Sequence, residues 1–297
     1  AKRYDEAARS YAEYAARFAG QGHKLTALYQ EGLCYVRLGR PGDAVDRWQI
    51  ITAEAPASEE ARKAWLRCGD ILFQAAHFDE ARTQFTALMI NFPDAEAQAA
   101  ATLRLGRCDY NEGKGADALF LFRQVAANFP DSEEAAEATE GITHILYGLG
   151  RDGDTSALQE LVADFPESPL APEAGFELAI RVYDSGDFAT AAVDFDDLCG
   201  RFPRYSAADR NFYYAADSWE KTGAVDRARS GWSSFLKYFP HSELAPGALF
   251  RLASIRFNDG QYNVALEDFK KVLISPADDQ VLAAALYNQG MCQRILG

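Results

Sequence analysis

The feature that most constrains this chain is a proline that returns at a nearly fixed interval. Pro56, Pro93, Pro130, Pro166, Pro203, Pro240 and Pro276 are spaced 36 or 37 residues apart, and Phe92, Phe129, Phe165, Phe202 and Phe239 immediately precede five of them. Proline has no backbone N–H and its ring clashes with the preceding helical turn, so each of these positions ends a helix. Self-similarity at a period of this size is the mark of an array in which one supersecondary unit is copied along the chain.

Two segments with helical periodicity lie between successive prolines. The first type, as in ALYQEGLCYVRLG at 27–39 or ALFRLASIRFNDG at 248–260, carries a small residue at its centre: Gly32, Gly69, Gly106, Ala179, Ala216, Ala253 and Gly290. A glycine inside a helix costs about 1 kcal/mol relative to alanine, so close approach of a neighbouring helix is expected there. Seven residues later stands a glycine suited to a left-handed helix-closing residue, at 39, 113, 186, 223, 260 and 297; position 76 has alanine instead. The second type pairs an alanine with a large residue four positions on: Ala44/Trp48, Ala81/Phe85, Ala118/Phe122, Ala191/Phe195, Ala228/Trp232 and Ala265/Phe269, with Ala7/Tyr11 in the same register. That spacing places both on one helix face. Past the prolines, Ser58, Ser132, Ser168 and Ser242 suit helix caps, and Pro169 suits a first turn.

A pair of short helices cannot bury both apolar faces alone, whereas stacked pairs can. The expectation is an all-α protein, an α-α superhelix of about 16 antiparallel helices. It would occupy residues 1–297 as one solenoid, with seven full pairs and a half-repeat at each end. The register breaks between 141 and 158, where Asp154 stands in place of alanine and Leu158 in place of the aromatic. A looser connection, and a local bend or hinge, is expected there. The chain opens AKRYDEAARS with neither an initiator Met nor the apolar stretch of a signal peptide, and both ends read as cut from a longer protein.

The net charge of −14 argues against a phosphate-binding surface, so nucleic acid is not expected as a partner. No apolar run approaches the length needed to span a bilayer, so direct membrane insertion by this segment is not expected. The five cysteines have no CxxC spacing, and Cys34, Cys108 and Cys292 share one repeat position, which suits buried packing residues. His23, His77, His144 and His241 fall in or near turns of different repeats, without metal-ligand or catalytic spacing. Asp152-Gly-Asp-Thr-Ser opens like a calcium loop, but Ala157 and Ala163 occupy the required glycine and glutamate sites. No enzyme activity, metal or cofactor is therefore expected.

The central small residue, the alanine-x3-aromatic pair and the terminal proline together resemble the tetratricopeptide repeat. The Pro-Asp-Ser/Ala-Glu stretch that lengthens each unit is similar to the bacterial branch holding the periplasmic Tol-Pal coordinator and the outer-membrane-assembly lipoproteins. That resemblance implies a non-enzymatic scaffold that holds a protein or peptide in a concave groove formed by the first-type helices, in a periplasmic or cell-envelope complex. The alternatives are a cytoplasmic setting and a regulatory or sensory module fused to a catalytic domain outside this segment. Self-association through the open repeat ends is a further expectation.

Mapped onto the groove, the resemblance points to Arg37, Phe73, Arg107, Tyr110, Asn111, Tyr183, Asp184, Asp217, Phe257 and Asn258 as partner-binding residues. Tyr29, Phe176, Tyr213, Phe250 and Tyr287 form a regular aromatic column that is expected to pack between helices. The column Phe73, Tyr110, Tyr183 and Phe257 is less regular and is expected to be exposed. Chaperone-binding relatives hold a C-terminal carboxylate with Lys and Asn, and the matching positions here carry aromatic, Leu, Asp and Arg residues. A carboxylate clamp is not expected.

Overall fold

The computed structural model describes residues 2–18 and 23–297, and among them sixteen α-helices and no strand. In chain order these are α1 (Lys2–Arg17), α2 (Lys24–Arg37), α3 (Pro41–Glu54), α4 (Glu59–Gln74), α5 (Phe78–Asn91), α6 (Ala95–Asn111), α7 (Gly115–Asn128), α8 (Glu133–Arg151), α9 (Thr155–Asp164), α10 (Ala171–Asp184), α11 (Phe188–Arg201), α12 (Ala208–Lys221), α13 (Val225–Tyr238), α14 (Ala245–Asn258), α15 (Tyr262–Leu273) and α16 (Asp279–Leu296). The chain divides into two compact units, residues 1–145 and 146–297, with the boundary inside α8. Within the first unit consecutive helices from α1 to α7 pack on one another, and within the second consecutive helices from α9 to α16 do so. Each unit is thus a stack of helix pairs of the expected all-α repeat type.

One contact repeated along the stack explains the small residues at the centres of the first-type helices. A Cβ added to Gly32 would meet the Trp48 ring at 2.3 Å, one on Gly69 the Phe85 ring at 2.3 Å, and one on Gly106 the Phe122 ring at 2.7 Å. The approach is therefore made by the large residue of the following helix. Trp48, Phe85, Phe195, Trp232 and Phe269 are wholly buried, as are the alanines paired with them. Burying one such ring stabilises by about 1.5–3 kcal/mol. The indole N–H groups stay satisfied: Trp48 Nε1 donates to the Tyr29 carbonyl at 3.1 Å and Trp232 Nε1 to Glu220 at 2.8 Å. In α1 the pattern fails, because Ala8 and Ala15 are the buried residues and Tyr11 is exposed. The Ala7/Tyr11 pair has no first-type helix before it among the described residues.

The helix-closing positions take the left-handed conformation. Gly39, Gly113, Gly186, Gly223 and Gly260 have φ between 72° and 89°, and Ala76 adopts φ 60° without being glycine. At Ala76 the closing bonds are those of a Schellman motif, His77 N–H to the Leu72 carbonyl and Ala76 N–H to the Phe73 carbonyl, both at 2.9 Å. Phe129, Phe165 and Phe239, each just before a proline, are helix C-caps, and their carbonyls accept the N–H of the serine three positions on: Ser132 N–H donates to Phe129 at 3.0 Å, Ser168 to Phe165 at 3.0 Å and Ser242 to Phe239 at 3.2 Å. Ser58 and Ser132 then cap α4 and α8, accepting from Ala61 and Ala135 N–H at 3.1 Å. Ser168 and Ser242 instead accept from the residue two positions on, Leu170 and Leu244, so they cap a turn that precedes the helix. Pro169 lies in that turn, and it is Pro172 that sits in the first turn of α10.

At the register break the connection is as tight as elsewhere. The closing glycine stands three residues farther from the preceding proline than in the other repeats, so α8 runs to 19 residues, against 16 for α4 and 17 for α6, and α9 is cut to 10, against 14 for α7 and α11. Gly153, at φ 112°, closes α8, and Asp154 N–H bonds the Leu149 carbonyl at 3.0 Å, the same closure as in other repeats. Asp154 caps α9 by accepting from Ser156 and Ala157 N–H, which accounts for the aspartate of the calcium-like stretch. The small-to-large contact has moved as well: Leu158 is fully buried where a Cβ on Gly150 would stand, 2.2 Å away.

Candidate functional site

The regular aromatic column is packed. Tyr29 stacks on Trp48 with centroids 5.7 Å apart, Phe176 and Phe250 lean on Phe195 and Phe269 at 5.8 and 5.9 Å, and Tyr213 meets Trp232 edge-on at 4.9 Å. Tyr287, on the last helix, is 70% exposed because no second-type helix follows it among the described residues.

The other column follows a rule the sequence reading missed. Phe73, Tyr183 and Phe257 are half-buried, each edge-on to the aromatic five residues ahead: Phe78 at 5.5 Å, Phe188 at 5.2 Å and Tyr262 at 5.3 Å. Tyr110 has Gly115 at that place and is left 50% exposed. Only Tyr110 of this column therefore meets the expectation of exposure.

Four of the sequence-derived residues come together in the first unit. Phe73 from α4, Arg107, Tyr110 and Asn111 from α6, and Glu137, Glu140 and His144 from α8 line a cleft of about 340 Å³ over the Phe122 ring. Arg107 pairs with Glu137 at 2.6 Å, both about half-exposed, so the pair is available for exchange with a partner's charges. Asn111 donates its amide to the Arg107 carbonyl at 2.9 Å, which fixes the side chain with its oxygen unspent. Glu137 and Glu140 went unrecognised because they break no rule of spacing: Glu140 merely stands where Phe176, Tyr213 and Phe250 stand in other repeats, and His144 lies inside α8 rather than near a turn. Arg37 lies exposed at the end of α2, outside this cleft.

In the second unit Tyr183, Asp217 and Phe257 serve the fold. Asp217 is buried and accepts from the Tyr183 hydroxyl, pairs with Lys221 at 3.2 Å and lies 3.9 Å from Arg251. Lys221 also bonds the Tyr183 hydroxyl and lies over its ring at 4.2 Å. Burial, with the hydrogen bond to Asp217 adding to it, pushes the Tyr183 phenol well above its ordinary range. Asp217 therefore ties α10, α12 and α14 together; it is not an open groove group. Asp184 and Asn258 are exposed at the ends of α10 and α14.

Cys34, Cys68, Cys108 and Cys292 are buried free thiols. Burial pushes the Cys68 thiol up to about 12 and Cys108 to about 11, so neither is a nucleophile near neutral pH.

Antiparallel helix pairs stacked in this way within each unit are the arrangement of a helical repeat protein. Family models described as tetratricopeptide repeat match residues 29–96 and 66–133, and a second model of that description matches 210–242; these segments are tetratricopeptide repeats. No curated protein matches the chain. Among solved structures it is similar to the TPR2AB domain of yeast Sti1, in a complex with pHSP90, at 11% identity, covering 93% of this chain and 100% of that one with a TM-score of 0.49. It is also similar to the C-terminal part of a TPR repeat-containing protein from Cytophaga hutchinsonii, at 12% identity over 86% and 98% of the two chains with a TM-score of 0.46. A tetratricopeptide repeat protein from Parabacteroides merdae gives 16% identity over 90% and 99%, with a TM-score of 0.41. Likeness at this level assigns neither a partner nor an activity.

Proposed function

We propose that this chain is a non-enzymatic scaffold and that the first-unit cleft grips a segment of a partner protein. The observation that carries this reading is the meeting of Phe73, Arg107, Tyr110 and Asn111 with Glu137, Glu140 and His144 around one opening. An exposed aromatic beside a half-exposed ion pair and a fixed amide offers stacking, charge and backbone hydrogen bonding within one peptide's reach. The bacterial cell-envelope setting rests on the Pro-Asp-Ser/Ala-Glu repeat variant alone. A signal sequence or lipid-attachment cysteine in the full-length gene product would support it, and a fused catalytic domain would overturn it.

The test of the cleft is affinity capture from the native organism with the complete protein, beside an Arg107→Glu/Tyr110→Ala double variant. Both side chains are substantially exposed, so the melting temperature should stay the same while specific partners drop out of the captured set. Capture of the same partners in the same amounts by the double variant would overturn the assignment.

A further inference from the structure

The second unit contains a repeat position at which one acid has lost its cation. Asp194 in α11 and Asp268 in α15 occupy equivalent places, each three residues after the buried alanine and one before the buried phenylalanine of its helix: Ala191 and Phe195, Ala265 and Phe269. Asp268 is buried and neutralised twice, by Arg256 of the preceding helix and by Lys271 at 3.1 Å. The residues standing where Arg256 and Lys271 would be are Val182 and Asp197. Among the described residues no donor or cation reaches the Asp194 carboxylate. Burial, with Asp197 and Asp187 adding to it, raises its pKa above the ordinary range.

Asp194 lines a cleft of about 460 Å³ between α9, α10 and α11. The cleft is opened by the short α9, which lacks the turn that α7 and α11 have. Leu178, Val182 and Leu198 supply an apolar wall. The two arginines on the lining are committed elsewhere. Arg181 donates to the Gly150 carbonyl at 2.6 Å and Thr155 Oγ1 at 3.3 Å, and Arg201 to the Val162 carbonyl at 3.0 Å and Asp197 at 3.4 Å. An apolar wall beside a half-buried, unpaired carboxylate matches a methylene stem carrying a positive head.

We propose that this cleft receives a lysine or arginine side chain of a partner polypeptide, whose charge takes the place that Arg256 holds beside Asp268. Charge complementarity favours this occupant, since the chain carries a net charge of −14 and the acid lacks only its counterion. The site is separate from the first-unit cleft, so its failure would leave that assignment untouched.

The test is an amide NMR titration of the whole chain with acetyl-Ala-Lys-Ala-amide and acetyl-Ala-Arg-Ala-amide, with the norleucine tripeptide as the neutral control. At least one basic peptide should shift the amides of Asp194, Val182 and Leu198 saturably, with affinity at least about tenfold above the norleucine peptide. Asp194→Asn should remove that preference without lowering the unfolding midpoint, because no internal bond is broken. Val182→Arg should rebuild the internal pair, block the cleft and abolish binding while the protein stays folded. Equal binding of the norleucine peptide, persistence of binding in either variant, or absence of saturable shifts would overturn the proposal. Binding of n-butylammonium without binding of either basic tripeptide would also overturn it, by assigning the site to a free amine.

Discussion

Ala76→Gly is expected to stabilise the first unit. Ala76 closes α4 at φ 60°, where the equivalent residues at 39, 113, 186, 223 and 260 are glycine. An L-residue in this region costs about 1–2 kcal/mol through contact of its Cβ with the following carbonyl. Glycine removes that strain, although its greater freedom in the unfolded chain returns about 0.5–1 kcal/mol. The net gain is about 0.5–1 kcal/mol. Gly113→Ala is the mirror experiment. A Cβ there would meet nothing within 4 Å, so backbone conformation alone would carry a loss of similar size. Urea unfolding gives the global change, and amide exchange in α4 and α5 locates it, which matters in repeat proteins whose cooperativity can break along the stack. If Ala76→Gly lowered stability or left it unchanged while Gly113→Ala cost nothing, the left-handed-strain argument would be wrong.

Three further outcomes are expected. Asn211 is buried with both amide atoms unpartnered, at a position where neighbouring repeats carry the buried alanines Ala174 and Ala248; Asn211→Ala should raise the unfolding free energy by about 1–2 kcal/mol in a denaturant titration. Gly69→Ala should cost about 1–3 kcal/mol because the Phe85 ring must move, whereas Gly290→Ala, with open space at its Cβ, should gain about 1 kcal/mol by helix propensity; thermal melts of the pair would show opposite signs. Cys68 has its folded pKa raised from 9.0 to about 12, so the folded state keeps the proton that the unfolded chain releases first. Its contribution is complete below pH 9 and is lost as pH rises towards 12, at about 1.4 kcal/mol per pH unit. A Cys68→Ala variant should show a shallower fall in stability over that range.

The residues fixed by stacking were the ones legible in the sequence. Gly69 and Phe85 announce one another because every repeat needs a gap and something to fill it, and the same demand repeated along the chain makes a visible period. The shift at α8 and α9 left its sign in Gly150, Gly153 and Asp154, but a change in register reads from sequence as disorder in the pattern. Much of the candidate site was less legible. Whether Phe73, Tyr110, Tyr183 or Phe257 is exposed depends on the residue five positions ahead, which the periodic comparison did not include. The burial of Asp217 depends on Tyr183 and Arg251, which lie one repeat to either side. Pairings between repeats of differing residues carry no period, so no count of recurring types reveals them.

The exchange of a turn between α8 and α9 has a consequence for how such chains change length. The interval from Pro130 to Pro166 remains 36 residues although the turn between the helices comes three residues later and α9 is four residues shorter than its counterparts. Stacking therefore restrains the summed length of a pair and leaves each member free to vary by about a whole turn, which keeps the buried face nearly in place. A deletion confined to one helix would pull the next proline out of step, whereas a compensating pair of changes would pass. Natural variants of this array should accordingly carry their insertions and deletions in matched couples, with the inter-helix turn sliding between two fixed junctions.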